Sequence, residues 1–518
     1  MKRQCVAMVA LVAVFAAMGD GAVQTGATMT FSGRSFIVKD ASGNEHTYAA
    51  GESLCPTQEP AVFYIKPVLS EGEHLWGLMG GDNYGGNGLY YRQPLADGWI
   101  PFAPFASAES NMTVSVQLAT GVWYVDAEHG NDDWDGTADY EHRDESVGKG
   151  PKQSLQAAHD AVSGSKPLVY VAPGVYSNGV STVTSGANTC RRRLYVTKMI
   201  GFRSTHGAEK TFIVGAPDPE TANGLGENAI GGVHLQSSSP HYGPEFLQGF
   251  TITGCYAPNS DAGYNQYGAA CVGGSGRVWI HDCIISNNFG YLGIVAYAQY
   301  SRCRVIDNTS YKITAGVYGA SFSSVFAGNS ITYADSSTAG ASAFSHSHNL
   351  YGCTIDQRSP INPDGRLRFM HRLMSGSPAY AYDCIVLGYR GTETDCFVDT
   401  LTSSSDDMLV ADAAAYDFRL GALSPAVGAG AYADMGDIAR RFASFDVDGR
   451  PLAVKDGMAT LGAVQNDPPL PCLVILGNGS ETVSGGYSLG TNIVTGAGGE
   501  VTLTASASRP FAGFEVDG

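Results

Sequence analysis

The sequence predicts an all-β fold, in which a solenoid of stacked short strands carries a short N-terminal cap helix and is flanked by small β-domains. Glycine accounts for 66 of the 518 residues, nearly double its usual share of about 7%. Charged residues make up only 15%, and a short strand-like unit recurs along the middle of the chain. These observations exclude a coiled coil and a charged helical bundle, and the hydrophobic share of 44% can fill a large core.

Residues 1–19 are predicted to be a secretory signal peptide. Lys2 and Arg3 precede an apolar run over residues 5–18, and small residues follow where a signal peptidase would cut. The run is too short to span a membrane, although a single N-terminal anchor helix is the alternative interpretation. We therefore expect the protein to be secreted or held at the cell surface, with no transmembrane segment in the mature chain. We also expect it to be a monomer.

The formal charge of the chain is −18. Without Lys2 and Arg3, 29 basic residues stand against 49 acidic ones, which gives −20. A surface of this charge repels nucleic acid, and it would repel a polyuronate unless calcium bridged the two. We therefore expect no nucleic-acid partner.

Residues 20–120 are predicted to form a small β-domain, because polar and apolar residues alternate in segments such as 28–32 and 112–117. Residues 121–410 follow as the solenoid. Near its start, residues 151–162 have helical spacing, with Leu155, Ala158 and Val162 on one side. This helix is predicted to cap the open end of the solenoid, whose strand edges would otherwise pair with other chains.

The repeated unit occupies residues 250–253, 283–286, 303–306, 325–328, 353–356 and 384–387. Successive units begin 33, 20, 22, 28 and 31 residues apart, and several end in an Asn or Asp turn that can hydrogen-bond along a stack. Each unit is too short to bury its own apolar face, so consecutive units must stack. A fixed strand with a variable period excludes a propeller of equal blades and predicts a right-handed parallel β-helix.

Ten cysteines follow Cys5. Cys283, Cys303, Cys353 and Cys384 each begin a repeated unit, which favours small, inward-facing, buried free thiols over disulfides.

Three segments in order resemble the opening of exported pectate-lyase-like β-helix proteins: 123–136 (WYVDAEHGNDDWDG), 151–158 (PKQSLQAA) and 168–176 (LVYVAPGVY). Segments 416–420 (YDFRL), 424–430 (SPAVGAG), 445–451 (FDVDGRP) and 461–464 (LGAV) resemble the closing module called choice-of-anchor Q. That module commonly ends such β-helices on bacterial surface proteins. The resemblance covers about residues 122–466 and implies a closing module at 411–466. A stiff Pro-rich linker at 467–471 and a partial extracellular β-repeat domain at 472–518 are predicted to follow.

The resemblance also implies how a catalytic member would work. Lyases of this shape hold calcium with carboxylates on one outer face, and a nearby Lys or Arg removes the proton α to the uronate carboxylate. If the cysteines face inward, residues one step on either side face outward. One such outward column is Asp282, Arg302, Gly352 and Asp383, and the other is Ile284, Arg304 and Thr354.

From these columns we predict Arg302, Arg304 and Lys312 as catalytic residues. Asp282, His281 and Asp383 are predicted to bind substrate. The alternative is a surface ion pair between adjacent coils, contributing under about 1 kcal/mol.

The loop before the cap helix is a candidate calcium site. Asn131, Asp133 and Asp135 place oxygen ligands at alternating positions before a glycine, as tight calcium loops do. The twelfth position is His142 rather than a bidentate Glu, and Glu141 is one place off, which favours a looser structural calcium site over an EF-hand. The alternative is a solvated acidic turn, and calcium is the one cofactor that the sequence suggests.

The leading hypothesis is an exported cell-surface or secreted β-helix protein that binds or displays, with a polysaccharide or cell-surface glycan as partner. It rests on the signal peptide, the solenoid and the closing module, without a complete catalytic constellation. The alternative is a calcium-dependent polysaccharide lyase that acts by β-elimination on a uronate polymer. A purely structural surface spacer is the third hypothesis.

Overall fold

The structure is a computed structural model. It describes residues 28–40, 43–55, 63–81, 90–102, 112–185, 188–236, 245–257, 270–273, 278–290, 294–310, 313–331, 342–356, 372–375, 380–388, 397–398, 400–403, 408, 410–431, 445–452, 454–455, 458–465, 472–475, 482–483, 490–493 and 503–504. The predicted signal peptide and linker lie outside these residues. Among the described residues, no helix is both long enough and apolar enough to cross a membrane.

Nine strands form an N-terminal β-domain. They are β1 (Met29–Ser32), β2 (Phe36–Lys39), β3 (Glu45–Tyr48), β4 (Ser53–Leu54), β5 (Phe63–Pro67), β6 (Leu75–Gly81), β7 (Tyr90–Arg92), β8 (Ile100–Phe102) and β9 (Met112–Leu118). One sheet has the order β4-β1-β9-β6-β7 and the other β3-β2-β5-β8. The alternating burial of β1, β2 and β5 supplies a shared core that includes Phe31, Phe36 and Ile65. These strands therefore form two sheets around one core, and the predicted extent of the N-terminal β-domain, residues 20–120, stays a prediction.

The solenoid strands follow in chain order. Its first coils contain β10 (Gly121–Val125), β11 (Pro167–Val171), β12 (Gly174–Tyr176), β13 (Ser181–Ser185), β14 (Asn188–Val196), β15 (Gly201–Ser204), β16 (Thr211–Val214), β17 (Ile230–Leu235), β18 (Phe246–Gln248), β19 (Thr251–Thr253) and β20 (Cys271–Gly273). Its later coils contain β21 (Val278–His281), β22 (Ile284–Ser286), β23 (Phe289–Gly290), β24 (Val295–Ser301), β25 (Arg304–Ile306), β26 (Thr309–Ser310), β27 (Ile313–Phe322), β28 (Val325–Ala327), β29 (Ser330–Ile331), β30 (Ser342–Tyr351), β31 (Thr354–Asp356), β32 (Arg372–Ser375), β33 (Ala381–Tyr382), β34 (Ile385–Leu387), β35 (Phe397–Val398) and β36 (Leu401–Ser403).

These strands build long parallel faces. The first sheet runs β10-β11-β15-β18-β21 and continues through β24, β27, β30, β33 and β35. The second sheet has the order β12-β16-β19-β22-β25-β28-β31-β34-β36, and all of its pairs are parallel. A third face joins β14, β17 and β20 to the first halves of β24, β27 and β30. One continuous apolar core fills the interior, so the predicted parallel β-helix is confirmed.

A bend between the first and second sheets explains the cysteine column. Its corner residues Gly249, Asp282, Arg302, Ser323, Gly352 and Asp383 all have left-handed backbone, with φ between 47° and 77°. The next residue points inward, and after all of these corners except Gly249 its thiol or hydroxyl donates to the carbonyl two residues earlier. Cys283 Sγ lies 3.2 Å from His281 O, and Ser324 Oγ lies 2.8 Å from Phe322 O. The four cysteines are buried and free, as predicted.

The strand register corrects one repeated unit. Arg304 pairs with Val325 and Val325 pairs with Thr354, so the fourth unit begins at Ser324 rather than at Val325. Ser324 therefore takes the place that cysteine has in the neighbouring coils.

A second column consists of stacked asparagines. The side-chain amide of Asn288 donates to Asn308 Oδ1 at 2.9 Å, and that of Asn308 donates to Asn329 Oδ1 at 3.0 Å. Each side chain also donates to a backbone carbonyl of the preceding coil, such as Ile285 O at 2.8 Å from Asn308. The predicted hydrogen bonding of Asn turns along the stack is therefore present.

The predicted helix forms as α1 (Leu155–Ala161). Ser154 caps its N-terminus by accepting from Ala157 N at 3.2 Å. Leu155, Ala158 and Val162 are buried in the solenoid core. The capping role assigned to this helix stays a prediction.

The C-terminal strands are short. They are β37 (Val410–Asp412), β38 (Asp417–Leu420), β39 (Gly430–Ala431), β40 (Val454–Lys455), β41 (Met458–Ala459), β42 (Cys472–Ile475), β43 (Thr482–Val483), β44 (Gly490–Ile493) and β45 (Leu503–Thr504). Phe418, Leu420, Val447 and Leu461 pack on the outer face of the second sheet at Val325, Ile385 and Leu387. The segment predicted as a closing module thus covers that face. The domain boundaries and the identity of this module stay predictions.

Candidate functional site

The N-terminal domain packs against the outer face of the first sheet. Trp76 on β6 is fully buried and meets Phe246 of β18 edge to face, with ring centroids 5.3 Å apart. Leu168, Trp279 and Phe322 complete this apolar cluster. The contact, which we call the seam, removes from solvent part of a face that sequence alternation predicts as outward.

Arg203 connects the two sides of the seam. Its guanidinium donates to Leu75 O at 2.9 Å and to Gln93 Oε1 at 2.6 Å in the N-terminal domain. It also donates to Gln248 Oε1 at 2.9 Å on the next coil. Gln248 in turn donates through its amide nitrogen to Asp282 Oδ2 at 2.9 Å. This network is buried, so its polar groups depend on one another for hydrogen bonds.

Asp282 and Arg302 form a bidentate ion pair at the end of the network. Arg302 Nε donates to Asp282 Oδ1 at 2.7 Å, and Nη2 donates to Oδ2 at 2.9 Å. Only 9% of the Arg302 side chain is exposed. The ion pair between adjacent coils that the sequence offered as an alternative is present, with its arginine buried and 24% of the Asp282 side chain exposed. A guanidinium held in this way cannot approach an external substrate without losing the pair.

His281 lies beside this pair. It is 2% exposed, and its ring stacks on Trp279 with centroids 5.4 Å apart. Neither ring nitrogen has a hydrogen-bond partner among the residues that the structure describes. Burial, and then the positive charge of Arg302, lower the pKa of His281 to about 3. The ring is therefore neutral at pH 7.

The remaining predicted catalytic and binding residues are dispersed. Arg304 contacts Asp448 of the C-terminal segment, 2.5 Å from its Oδ1. Asp383 is 5% exposed, and its backbone oxygen accepts from Gly462 N at 3.1 Å. Lys312 lies outside the described residues. The structure therefore brings together Asp282, His281 and Arg302, but it places Arg304 and Asp383 beside the C-terminal segment. The catalytic and binding roles of all six stay predictions.

Sequence reasoning missed Gln93, Arg203 and Gln248. Gln248 could have been found, because it stands two residues before Phe250, as His281 does before Cys283. Nothing in the local sequence marks Gln93, because its role depends on the docking of a separate domain.

The acidic loop uses its oxygens internally. Asn131 Oδ1 accepts from Asp133 N at 2.9 Å, and Asp135 Oδ1 accepts from Thr137 N at 2.8 Å. Burial would raise the pKa of Asp135, but the hydrogen bonds from Thr137 and Gly150 and the charge of Lys149 together outweigh it and hold the pKa below its usual range. Asp132, which sequence reasoning missed, accepts from Gln153 N and Ser154 N at 2.8 Å and so orders the start of α1.

This pattern matches the alternative of an acidic turn. No group of three His, Cys, Asp or Glu side chains placed to hold a metal occurs within the described part of the chain. The calcium site at Asn131, Asp133 and Asp135 stays a prediction.

Beyond the seam, the first sheet carries stacked aromatic rings. One outward position per coil forms the first-sheet column: Tyr170, Arg203, Gln248, His281, Ser301, Phe322, Tyr351 and Tyr382. Phe322 and Tyr351 stack with centroids 5.0 Å apart and planes 7° from parallel. Tyr351 and Tyr382 stack at 5.1 Å and 6°. Burial, and then Tyr382, raise the pKa of Tyr351 to about 12, so its hydroxyl stays protonated at neutral pH.

Among the described residues, the outward positions beside these rings on the first sheet carry no charge. Tyr351, Tyr382 and Tyr380 are half-buried, and the ring centroids of Tyr380 and Tyr382 lie 5.9 Å apart. The neighbouring outward positions on the same strands are Gln299, Ala320 and Asn349. Phe322, Tyr351 and Tyr382 each stand two residues before the inward Ser or Cys of a unit. That spacing is a sequence signal that could have revealed the column.

Comparison with known proteins gives only distant similarity. No family model matches the chain, and no curated protein matches it. Among solved structures, a pectin methylesterase from Aspergillus niger in penultimately deglycosylated form is similar at 12% identity and a TM-score of 0.28, covering 56% of this chain and 88% of that one. The deglycosylated form of that enzyme is similar at 13% identity and a TM-score of 0.27, covering 56% of this chain and 92% of that one. A pectin methylesterase in complex with hexasaccharide VII is similar at 12% identity and a TM-score of 0.24, covering 58% of this chain and 96% of that one. At these TM-scores the likeness carries no argument about function.

Proposed function

We propose that the chain is an exported β-helix protein that binds a carbohydrate chain along the open part of the first-sheet column and does not cleave it. The observation that carries this proposal is the stack of half-buried tyrosines at Tyr351 and Tyr382, with Tyr380 beside them. Because the rings stack face to face, they present their edges and hydroxyl groups outward, and a tyrosine hydroxyl both donates and accepts. Sugars present hydroxyl groups that match such a row.

The spacing of the column also suits a polysaccharide. The rings repeat at 5.0 and 5.1 Å because each coil contributes one of them, close to the distance of about 4.8 Å between neighbouring strands. One sugar unit of an extended polysaccharide has a comparable length. A chain aligned with the solenoid axis would therefore meet one equivalent side chain per sugar.

The charge of this surface favours a neutral polymer over a uronate. Outward positions near the tyrosines carry amide, methyl and phenol groups, and the chain as a whole has a formal charge of −18. Two of the three basic residues predicted to act on a uronate are engaged elsewhere, since Arg302 pairs with Asp282 and Arg304 contacts Asp448, and the third, Lys312, lies outside the described residues. The alternative of a calcium-dependent lyase needs a basic side chain that is free to take a proton.

Export and surface attachment belong to the same proposal. They rest on the predicted signal peptide at residues 1–19 and on the resemblance of residues 411–466 to a closing module of bacterial surface proteins. A protein of this kind would display its binding face outside the cell.

The test is a binding series on the full chain with neutral and acidic polysaccharides, such as xylan, β-glucan and polygalacturonate. We expect a neutral polymer to bind by calorimetry, and Tyr351→Ala and Tyr382→Ala each to weaken binding by about tenfold, since aromatic contacts contribute up to about 1.5 kcal/mol. Tyr140→Ala, which removes a tyrosine from the acidic loop, is the matched control and should bind as the wild type does.

Two outcomes would contradict the proposal. One is equal binding by wild type and both column variants. The other is formation of ultraviolet-absorbing unsaturated product from polygalacturonate, abolished by chelator or by Arg304→Ala, which would establish the lyase.

A further inference from the structure

The seam holds two histidines, one from each side. His281 belongs to the first sheet and stacks on Trp279. His74 belongs to the N-terminal domain, and its ring meets Tyr170 of β11 edge to face with centroids 5.6 Å apart. Each histidine therefore packs on an aromatic ring of the outer face that the N-terminal domain covers.

The charged groups around both rings are predominantly positive. His281 faces Arg302 and Asp282, which follow it at the corners of two coils, and Arg203 from β15. His74 also faces Arg203. Glu73, next to His74 in the chain, forms an ion pair with Arg34. Among the described groups that shift the pKa of these two histidines, the guanidiniums of Arg203 and Arg302 thus stand against the carboxylate of Asp282, which is held by Arg302.

The seam also has polar atoms without partners. Besides both nitrogens of His281, Trp76 Nε1 and Gln93 Nε2 have no hydrogen-bond partner among the described residues. A buried donor without a partner costs about 1–3 kcal/mol. Docking of the N-terminal domain therefore relies on apolar contacts and on hydrogen bonds from Arg203 and Gln248, the latter to Pro94 O at 2.5 Å. The unpartnered atoms of Trp76 and Gln93 are donors, so they offer no acceptor to a protonated histidine.

We propose that the seam is an acid-sensitive latch: protonation of His281 and His74 releases the N-terminal domain from the first sheet and exposes Phe246 and Trp279. The released face continues the first-sheet column toward the N-terminal end of the solenoid. The proposal does not depend on what binds to the open tyrosines.

The sign of the effect follows from the pKa values. Burial, followed by nearby guanidiniums, lowers the pKa of both histidines while the domain is docked, to about 3 for His281. In the released state we expect values near 6.5. Docking strength is then fully present above pH 6.5 and falls as the pH drops, by up to about tenfold per pH unit for each histidine.

Tryptophan accessibility in the full chain tests the latch. Trp76 is 0% and Trp279 8% exposed in the docked form, so release should increase acrylamide quenching as the pH falls from 7.5 to 4.5. Far-UV circular dichroism should stay constant, because the solenoid itself remains folded. His281→Phe keeps a ring to stack on Trp279 but cannot take a proton, and His74→Phe is the equivalent change on the other side.

We expect the transition to move to lower pH in each single variant and to vanish above pH 4.5 in the double variant. His142→Gln is the matched control, because that side chain is 76% exposed on the acidic loop, and its transition should coincide with the wild type. The proposal is wrong if the double variant opens at the wild-type pH. It is also wrong if the tryptophans stay protected until the far-UV signal is lost.

Discussion

The covered and open halves of the first-sheet column occupy equivalent backbone positions but contain different chemistry. Under the N-terminal domain, the column presents Arg203 and Gln248, which bond to each other and to the covering domain, and His281, which stacks on Trp279. In the open half, it presents Tyr351 and Tyr382, which stack on each other and remain partly accessible.

The difference teaches that outward position alone does not define a functional surface on a β-helix. Every coil supplies an outward side chain at the same place, and the backbone is identical in hydrogen bonding. Charged side chains can be buried in the covered half only because groups across the seam form hydrogen bonds with them. Uncharged rings in the open half need no such partners.

The largest predicted effect comes from removing the anchor of the covered half. Trp76→Ala should reduce the free energy of unfolding by about 3–5 kcal/mol, because it empties a fully buried site against Phe246. Tyr382→Ala in the open half should cost only about 1 kcal/mol, since one stacking contact is lost at a partly exposed site. Urea denaturation of both variants measures the difference, and equal losses would refute the distinction between the halves.

The next effect comes from breaking the buried ion pair. Asp282→Asn keeps the side-chain shape and tolerates the left-handed backbone at φ 52°. It should still cost about 3 kcal/mol, because Arg302 is left buried without its counter-charge. Asp448→Asn, opposite the 41% exposed side chain of Arg304, is the control and should cost under about 1 kcal/mol. A similar small loss at Asp282 would mean that the seam admits water.

A smaller effect of opposite sign is expected at His281. His281→Phe should raise the free energy of unfolding at pH 7.5 by about 1 kcal/mol, because it removes two buried nitrogens that lack partners and keeps the stacked ring. The gain should grow as the pH falls below 6.5, where the wild-type unfolded state binds the extra proton. Thermal unfolding at several pH values measures it, and a pH-independent difference would contradict the assigned pKa.

The smallest effect is expected at Arg304. Arg304→Ala should change stability by less than about 1 kcal/mol, since the pair with Asp448 is exposed to solvent and screened by salt. It should leave polysaccharide binding at the tyrosines unchanged. A tenfold loss of binding would indicate that the binding site lies on the second sheet, which carries Arg304, rather than on the first.

Much of the interior could be predicted from the sequence. The inward thiols at Cys283, Cys303 and Cys384 and the asparagine stack follow from residues that recur at the same place in each unit. The one misplaced unit, at Val325, arose because serine replaces cysteine at position 324, and a hydroxyl fulfils the same bond to a carbonyl. The sequence prediction also treated Asp282 and Arg302 as outward positions of a strand. They lie instead at a corner between two sheets, where left-handed backbone sets their orientation.

The sequence by itself determined which side chains enter the core, because coil stacking repeats the same local environment and leaves the same residue types in each coil. Only the tertiary structure decided which outward side chains meet solvent. Arg203 is covered by Leu75 and Gln93, which lie more than 100 residues away in the chain, and such docking depends on the matched shape of two separate surfaces. For that reason Arg302, outward by its place in the repeat, is a buried structural residue, whereas Tyr351 and Tyr382 remain partly exposed to solvent.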